Sequence, residues 1–169
     1  MNKQIPAKLL LLLLLPAFIV SFTAKPYKAN YTGTWKLSEG KSDLGEFGAR
    51  FAPKKLKVEQ KEDGITIART GTGFNGEDYT TTETITFDGK TAETTIFETS
   101  KKKSTIKWSD DGNSFVITYN LLLDFNGQTS EINGTESWSI SEDGKTLTTQ
   151  TKSTSPQGEF QMKPVFEKE

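Results

Sequence analysis

The sequence predicts an all-β protein: a single antiparallel up-and-down β-barrel of about ten strands, with a short lid-like insertion after the first strand. Two observations support this prediction. Apolar and polar residues alternate with period two over most of the chain, which is typical of strands with one buried face. Asp-Gly and Asn-Gly pairs recur between these runs and favour tight hairpin turns. No long segment has helical periodicity, and no linker divides the chain.

The turn pairs set the predicted order of the strands. They are Asp63-Gly64, Asn75-Gly76, Asp88-Gly89, Asp111-Gly112, Asn126-Gly127 and Asp143-Gly144. The strands predicted around them lie near residues 31–38, 54–62, 64–70, 79–88, 90–98, 102–109, 113–123, 129–141, 145–153 and 158–168. The pair Asn133-Gly134 falls inside the eighth strand, and we interpret it as a bulge.

Each predicted strand has one apolar face. The longest apolar stripe is Phe115, Ile117, Tyr119, Leu121 and Leu123. Short connections imply antiparallel neighbours, and one inward face per strand suits a closed barrel. A two-sheet sandwich is the alternative, because its inner faces give the same alternation. A ten-stranded barrel encloses more volume than an eight-stranded one, and that volume is the main functional indication.

One segment departs from the strand pattern. Residues 39–53, EGKSDLGEFGARFAP, are too long for a hairpin turn and contain Leu44, Phe47 and Phe51. Ser42 is a candidate cap for a helical turn that begins at Asp43. The segment is either a loop that packs its apolar residues for stability or a lid over the mouth of the barrel.

The N-terminus reads as a targeting segment. Lys3 and Lys8 precede an apolar run over residues 9–20, which is too short for a membrane span and fits a secretory signal. We therefore predict a signal peptide at residues 1–24 and one barrel domain at residues 25–169, exported to the periplasm or the exterior. We expect a monomer with no stable membrane insertion after cleavage.

The charge balance and the missing residue types exclude several functions. The net charge is −1 and falls to −3 without the two lysines of the signal, so we expect no nucleic-acid partner. The run at residues 101–103, three lysines, is interpreted as a solvated turn. The chain has no Cys and no His, which rules out a thiol nucleophile, an imidazole base and a His/Cys metal site. We expect no cofactor, no metal and no enzymatic activity.

A few polar residues fall on inward-facing positions. Arg69 shares the parity of Ile65 and Ile67, and Glu83 and Glu136 share the parity of the apolar residues on their own strands. A buried guanidinium needs a carboxylate or a ligand as partner. The three side chains are therefore either an internal ion pair and rim residues, or a polar anchor for a ligand. Glu83 and Glu136 as paired carboxylates for glycosidic hydrolysis form a weaker hypothesis.

Four aromatic residues complete the predicted binding site. Tyr79, Trp108, Tyr119 and Trp138 share the inward parity of their strands and are candidate wall residues for a ligand. No catalytic or metal-ligating residue is predicted.

The stretch GTWKL at residues 33–37 resembles the Gly-X-Trp opening of the calycins, the lipocalins and fatty-acid-binding proteins. The strand count, the insertion after the first strand and the closing VFEK at residues 165–168 resemble the fatty-acid-binding branch. The resemblance implies that Trp35 packs across the closed end of the barrel and that the insertion is a helical lid. The chain is also similar to uncharacterised secreted bacterial lipocalin-like proteins, through GTWKLSEGKSDLG and SEDGKTLTTQTKSTSPQGEFQMKPVFEK.

The departures from these families limit what the resemblance implies. Fatty-acid-binding proteins hold the lipid carboxylate with Arg and Tyr near the end of the last strand, where this chain has Pro164 and Phe166. Fatty-acid specificity is therefore not expected. Lipocalins place a basic residue over the first-strand Trp, a role open here to Lys163 or Lys168. We predict that Trp35 is buried against Phe166 and that Gly33 leaves space for the chain to cross the opening.

The leading functional expectation is a secreted module that binds a small apolar or amphipathic molecule inside the barrel. The alternative is a structural or protein-interaction barrel whose interior is filled by its own side chains. A barrel filled by its own side chains, with no cavity above about 300 Å³, would rule out the first.

Overall fold

The structure is a computed structural model that describes residues 28–45, 50–73, 75–96, 99–125 and 127–169, apart from the side chain of Phe125. The predicted signal peptide and Phe47 of the insertion lie outside the described residues. Within the described ranges, no helix is long and apolar enough to cross a membrane.

The described chain forms an antiparallel up-and-down sheet that is nearly closed into a barrel, as predicted. Its hydrogen-bonded order is β4-β3-β2-β1-β11-β9-β8-β7-β6-β5, with β10 paired to β9. The strands are β1 Gly33–Leu37, β2 Lys55–Gln60, β3 Gly64–Thr72, β4 Asp78–Thr86, β5 Ala92–Ile96, β6 Ser100–Trp108, β7 Ser114–Phe125, β8 Gln128–Ile140, β9 Thr146–Ser155, β10 Gly158–Met162 and β11 Val165–Lys168. Every pairing between neighbours is antiparallel.

The predicted tenth strand, residues 158–168, is broken in two. β10 pairs with residues 151–155 of β9, and β11 pairs with residues 146–148. At the break, Lys163 exchanges backbone hydrogen bonds with Asp43 of the insertion, at 2.5 and 3.1 Å. Pro164 follows and has no N–H to donate. The break lets the strand change its outer neighbour from the insertion to β1.

The interpretation of Asn133-Gly134 as a bulge is wrong. Both residues are paired in continuous register, with Asn120 and Tyr119 on β7 and with residues 153 and 154 on β9. A glycine is needed at position 134 for a different reason, because the ring of Tyr119 lies over it. A Cβ at position 134 would come within 2.6 Å of that ring.

One end of the barrel is closed by the segment that precedes β1. Tyr31 is fully buried there, and its hydroxyl donates to the carbonyl oxygens of Asn113 (2.9 Å) and Trp138 (3.1 Å). The Gln60 side chain holds the segment from the other side, because it donates to the Ala29 carbonyl and accepts from the Tyr31 N–H, both at 3.0 Å. The segment therefore crosses this end as a plug.

Trp35 is fully buried in the same core as Phe166, which confirms its predicted burial. Its indole N–H donates to the Tyr31 carbonyl at 3.0 Å, and Lys168 Nζ lies 5.2 Å from its ring centroid. A Cβ on Gly33 would lie 2.8 Å from Lys168 Cε. The space that Gly33 leaves is therefore filled by the lysine that covers the Trp35 ring.

The insertion begins with one turn of 3-10 helix at Glu39–Lys41. Ser42 follows this turn, so it does not cap a helix at Asp43. Its hydroxyl instead donates to the Ser38 carbonyl at 2.8 Å and accepts from the Val165 N–H at 2.9 Å. These bonds attach the start of the insertion to β11. At its other end, Phe51 is half exposed and packs edge-on against Phe160, with centroids 6.1 Å apart.

The hydrogen-bonded order of the strands ends at β4 on one side and at β5 on the other. We call the interval between these two strands the seam. Side chains bridge it, because Glu83 on β4 accepts hydrogen bonds from Lys102 and Ser104 on β6. Among the described residues, buried polar side chains bridge the seam, and no strand pairing crosses it.

Candidate functional site

Four charged side chains meet inside the barrel, and we call them the quartet: Arg69 on β3, Glu83 on β4, Lys102 on β6 and Glu136 on β8. The Arg69 guanidinium donates to Glu83 Oε1 and, at 2.9 Å, to Glu136 Oε2. Lys102 Nζ donates to both oxygens of Glu83, at 2.9 and 3.0 Å. Ser104 Oγ adds a third neighbour to Glu83 at 3.2 Å. The inward parity predicted for Arg69 and the two glutamates places them in this network.

Burial and mutual attraction compete at the quartet. Burial raises the pKa of Glu83, but the charges of Arg69 and Lys102 outweigh it and lower the pKa to about 2. Burial lowers the pKa of Arg69, and the carboxylates of Glu136 and Glu83 more than compensate. The pKa of Lys102 is lowered, first by burial and then by the neighbouring Arg69 charge. The Glu83 side chain is only 3% exposed, so its charge depends on these partners.

Lys102 was not predicted to belong to the site. The interpretation of the three consecutive lysines as a solvated turn is wrong, because all three lie in β6 and Lys102 points inward. Lys101 and Lys103 do lie on the exposed face. The signal was present in the sequence, because Lys102 shares the parity of Ile106 and Trp108.

A cavity of about 240 Å³ lies against the quartet. Its lining combines the four charged side chains with hydroxyl-bearing and apolar ones: Phe51, Pro53, Leu56, Arg69, Gly71, Tyr79, Thr81, Thr82, Glu83, Thr94, Ile96, Lys102, Tyr119, Leu121, Glu136, Thr149, Thr151, Met162 and Phe166. This volume is below the limit of about 300 Å³ given above for a ligand-binding cavity inside the barrel. It corresponds to about eight water molecules at liquid density.

The cavity extends to the seam and to the insertion. Thr82 on β4 and Thr94 and Ile96 on β5 belong to its lining, and these strands are the two edges of the seam. Phe51 and Pro53 contribute from the insertion. The cavity is therefore bordered by the seam and by the insertion.

Two tyrosines line the cavity, and each is paired with a glycine. Tyr79 is paired with Gly71, and Tyr119 is paired with Gly134. In each pair the ring lies over the glycine, so that a Cβ would meet the ring at 3.2 Å in the first pair and at 2.6 Å in the second. The glycines let the rings lie flat along the sheet, which keeps them from filling the cavity.

The structure brings together five of the seven predicted binding residues. Arg69, Tyr79, Glu83, Tyr119 and Glu136 all line the cavity. The remaining two, Trp108 and Trp138, lie in the packed end of the barrel, around Tyr31 and Phe115. Trp138 is stacked on Phe115 with centroids 5.3 Å apart.

Trp138 connects the packed end to the quartet. The Arg69 guanidinium carbon lies 5.8 Å from the Trp138 ring centroid. Trp138 is therefore a support beneath the quartet rather than a lining residue.

The two glutamates are joined through a single guanidinium. Each carboxylate binds one terminal nitrogen of Arg69. The arrangement fits mutual charge neutralisation between two carboxylates that both line the cavity, with Glu83 more deeply buried than Glu136.

The fold and the site together define a nearly closed antiparallel β-barrel with one packed end and a small polar-floored cavity. The fold is consistent with a calycin-like barrel. Comparison of the chain with protein-family models, with curated proteins and with solved structures gives no significant match.

Proposed function

We propose that the protein is an exported, calycin-like binding protein of the lipocalin type that holds one small amphipathic molecule in the barrel cavity. The observation that supports this proposal is the composition of the cavity, in which a charged floor faces apolar walls. Small-molecule sites commonly have mostly apolar linings with a few convergent polar groups.

The division of the barrel interior favours a site over a uniform core. At the closed end, the aromatic side chains pack against one another with centroid distances of 4.7–6.1 Å. At the other end, the flat orientation of Tyr79 and Tyr119 leaves the space above the quartet open. A barrel selected only for stability gains nothing from such a space, because an unfilled cavity weakens packing.

The volume limits the ligand. A cavity of about 240 Å³ suits a molecule of roughly ten non-hydrogen atoms, since each water in the liquid takes about 30 Å³. We therefore propose a ligand much smaller than a long-chain fatty acid, bound by a monomer, with no nucleic acid involved.

A filled structural barrel is the second candidate. The observation that favours it is that the quartet charges are already paired with one another, so that no ligand is needed to neutralise them. In that case the cavity is a packing defect next to a buried ion network.

A cavity-filling variant distinguishes the two candidates. Leu121 lines the cavity, and its neighbour Leu122 is exposed on the outer face, so Leu121→Trp and Leu122→Trp form a matched pair. Ligand-observed NMR with small amphiphiles should show binding to the wild type and to Leu122→Trp, and loss of binding in Leu121→Trp at an unchanged fold. If no compound binds the wild type at about 1 mM, the weakest affinity worth considering, the filled barrel is the better description.

A further inference from the structure

We infer that the cavity selects uncharged amphiphiles whose polar end both donates and accepts hydrogen bonds, over a carboxylate or an ammonium on the same tail. This inference rests on the proposed function and names the ligand class for the same site.

The first argument is charge balance. The described lining of the cavity contains four charged side chains, the two cations Arg69 and Lys102 and two glutamates. Their charges sum to zero, and each cation is already bound to a carboxylate. A charged head group adds an uncompensated charge to a partly buried site, or it must displace an existing ion pair, and both are unfavourable.

The second argument is that the quartet leaves some hydrogen-bond donors and acceptors unused. A guanidinium has five N–H donors, and Arg69 uses terminal nitrogens for its two carboxylate partners. Glu136 Oε2 accepts from Arg69, whereas its other oxygen accepts no hydrogen bond within the described part of the chain. Thr149 and Thr151 are buried on the same lining, and each carries a hydroxyl that can donate and accept. An alcohol or a primary amide uses donors and acceptors together.

The third argument is the remaining wall. Leu56, Leu121, Met162 and Phe166 present apolar surface to the same cavity. Such a wall suits a short alkyl tail, and the volume of about 240 Å³ suits a ligand of roughly eight to ten non-hydrogen atoms, head group included, by the liquid-volume argument above.

The test uses four ligands of eight carbons in two pairs, each pair sharing one tail: octan-1-ol with octylammonium, and octanamide with octanoate. Affinities are measured for the full mature chain by calorimetry near neutral pH, where octylammonium and octanoate are charged. We expect the alcohol and the amide to bind at least about tenfold more tightly than either ion, a difference of about 1.4 kcal/mol. Tighter binding of octanoate or octylammonium by the wild type overturns the inference and leaves the proposed function standing. If none of the four binds, the proposed function fails as well.

Charge-changing variants make the test independent of the wild-type ranking. Glu136→Gln gives the lining one excess positive charge. It should raise the affinity for octanoate, relative to that for octylammonium, by at least about tenfold. Glu131→Gln makes the same change of net charge on the exposed face of β8 and should leave the ratio unchanged.

The opposite charge change should have the opposite sign. Lys102→Met leaves an excess negative charge and should shift the ratio toward octylammonium, with Lys101→Met on the exposed face as its control. An unchanged ratio in both cavity variants, at retained octan-1-ol binding, overturns the inference.

Discussion

The ring of Tyr119 lies across Gly134, its direct partner on the neighbouring strand, at a distance that no side chain at position 134 could share. A Cβ there would lie 2.6 Å from the ring and 2.8 Å from the Lys152 carbonyl oxygen. Tyr119 lines the cavity. Its ring can lie in this position only because residue 134 has no side-chain methyl group.

Gly134→Ala should destabilise the protein by about 1–3 kcal/mol, because the methyl group meets both a ring and a backbone oxygen. Gly71→Ala should have a smaller effect, since its nearest contact is the movable Tyr79 hydroxyl at 3.2 Å. Urea unfolding measures both. Gly40→Ala is the control, with nothing within 4 Å of its Cβ, and equal stabilities of Gly134→Ala and Gly40→Ala would refute the steric explanation.

Trp35→Ala should lower the free energy of unfolding by about 3–5 kcal/mol, because it removes a fully buried ring and leaves a cavity. The matched aromatic control is Phe51→Ala, whose side chain is half exposed and whose loss should change stability far less. Thermal melts without ligand provide the measurement. An unchanged midpoint in Trp35→Ala would show that this ring has no structural role at the closed end.

Removal of the Tyr31 hydroxyl tests the plug separately. Tyr31→Phe keeps the ring but loses the donor to two carbonyl oxygens, and we expect a loss of about 1–2 kcal/mol. Burial and the nearby Asp111 charge raise the pKa of this hydroxyl, so it stays a donor throughout the physiological range. A stability equal to the wild type in chemical denaturation would mean that water replaces the hydroxyl there.

Acid should weaken the protein partly through Glu83. Its pKa is about 2 in the folded chain, against 4.5 for an unperturbed glutamate. A depressed pKa in the folded state stabilises the protein above the unfolded pKa, and this stabilisation disappears as the pH falls from about 4.5 to 2. The contribution is of the order of 3 kcal/mol.

The comparison is between the pH profiles of stability for the wild type and Glu83→Gln. The variant should be less stable near neutral pH, and its profile should be flatter over that acid interval. The pKa values of Asp88, Asp111 and Asp143 are also lowered, by side-chain and backbone hydrogen bonds, but these carboxylates titrate in both proteins. Parallel profiles would show that Glu83 does not contribute to acid sensitivity.

The quartet should add little net stability as a whole, but it should be costly to break in part. Arg69→Met leaves two glutamates with one lysine and should cost about 3–5 kcal/mol. Replacing all four, with Met for the two cations and Gln for the two glutamates, should recover much of that loss, because no buried charge is left unpaired. Calorimetric unfolding of both variants decides this, and a quadruple variant less stable than Arg69→Met would mean that the network itself stabilises the fold.

The period-two pattern was sufficient to predict the strands and the inward direction of the site residues. Arg69, Glu83 and Glu136 follow from parity alone, since each alternates with polar residues on a strand with one buried face. Lys102 follows the same rule, but its two lysine neighbours obscured the alternation. Its role could be assigned only when β4 and β6 were known to face each other.

Other features depend on contacts between distant residues, which a local pattern does not contain. The break at Lys163 and Pro164 requires the pairing with Asp43, more than a hundred residues earlier. The reason for Gly134 requires its cross-strand neighbour Tyr119. Tyr31 falls in the predicted first strand, residues 31–38, with the parity of Trp35, but the regular strand begins at Gly33. Its role as a plug depends on its hydrogen bonds to the distant Asn113 and Trp138 carbonyls.

The pairing of β1 with β11 makes folding depend on nearly the whole described chain. Trp35 is paired with Lys168, so the first strand has no partner on that side until residues 165–168 have left the ribosome. Contacts of such long sequence separation are formed late and slowly. During synthesis the chain therefore holds a sheet with an unsatisfied first strand, a state that a chaperone could bind before the barrel closes.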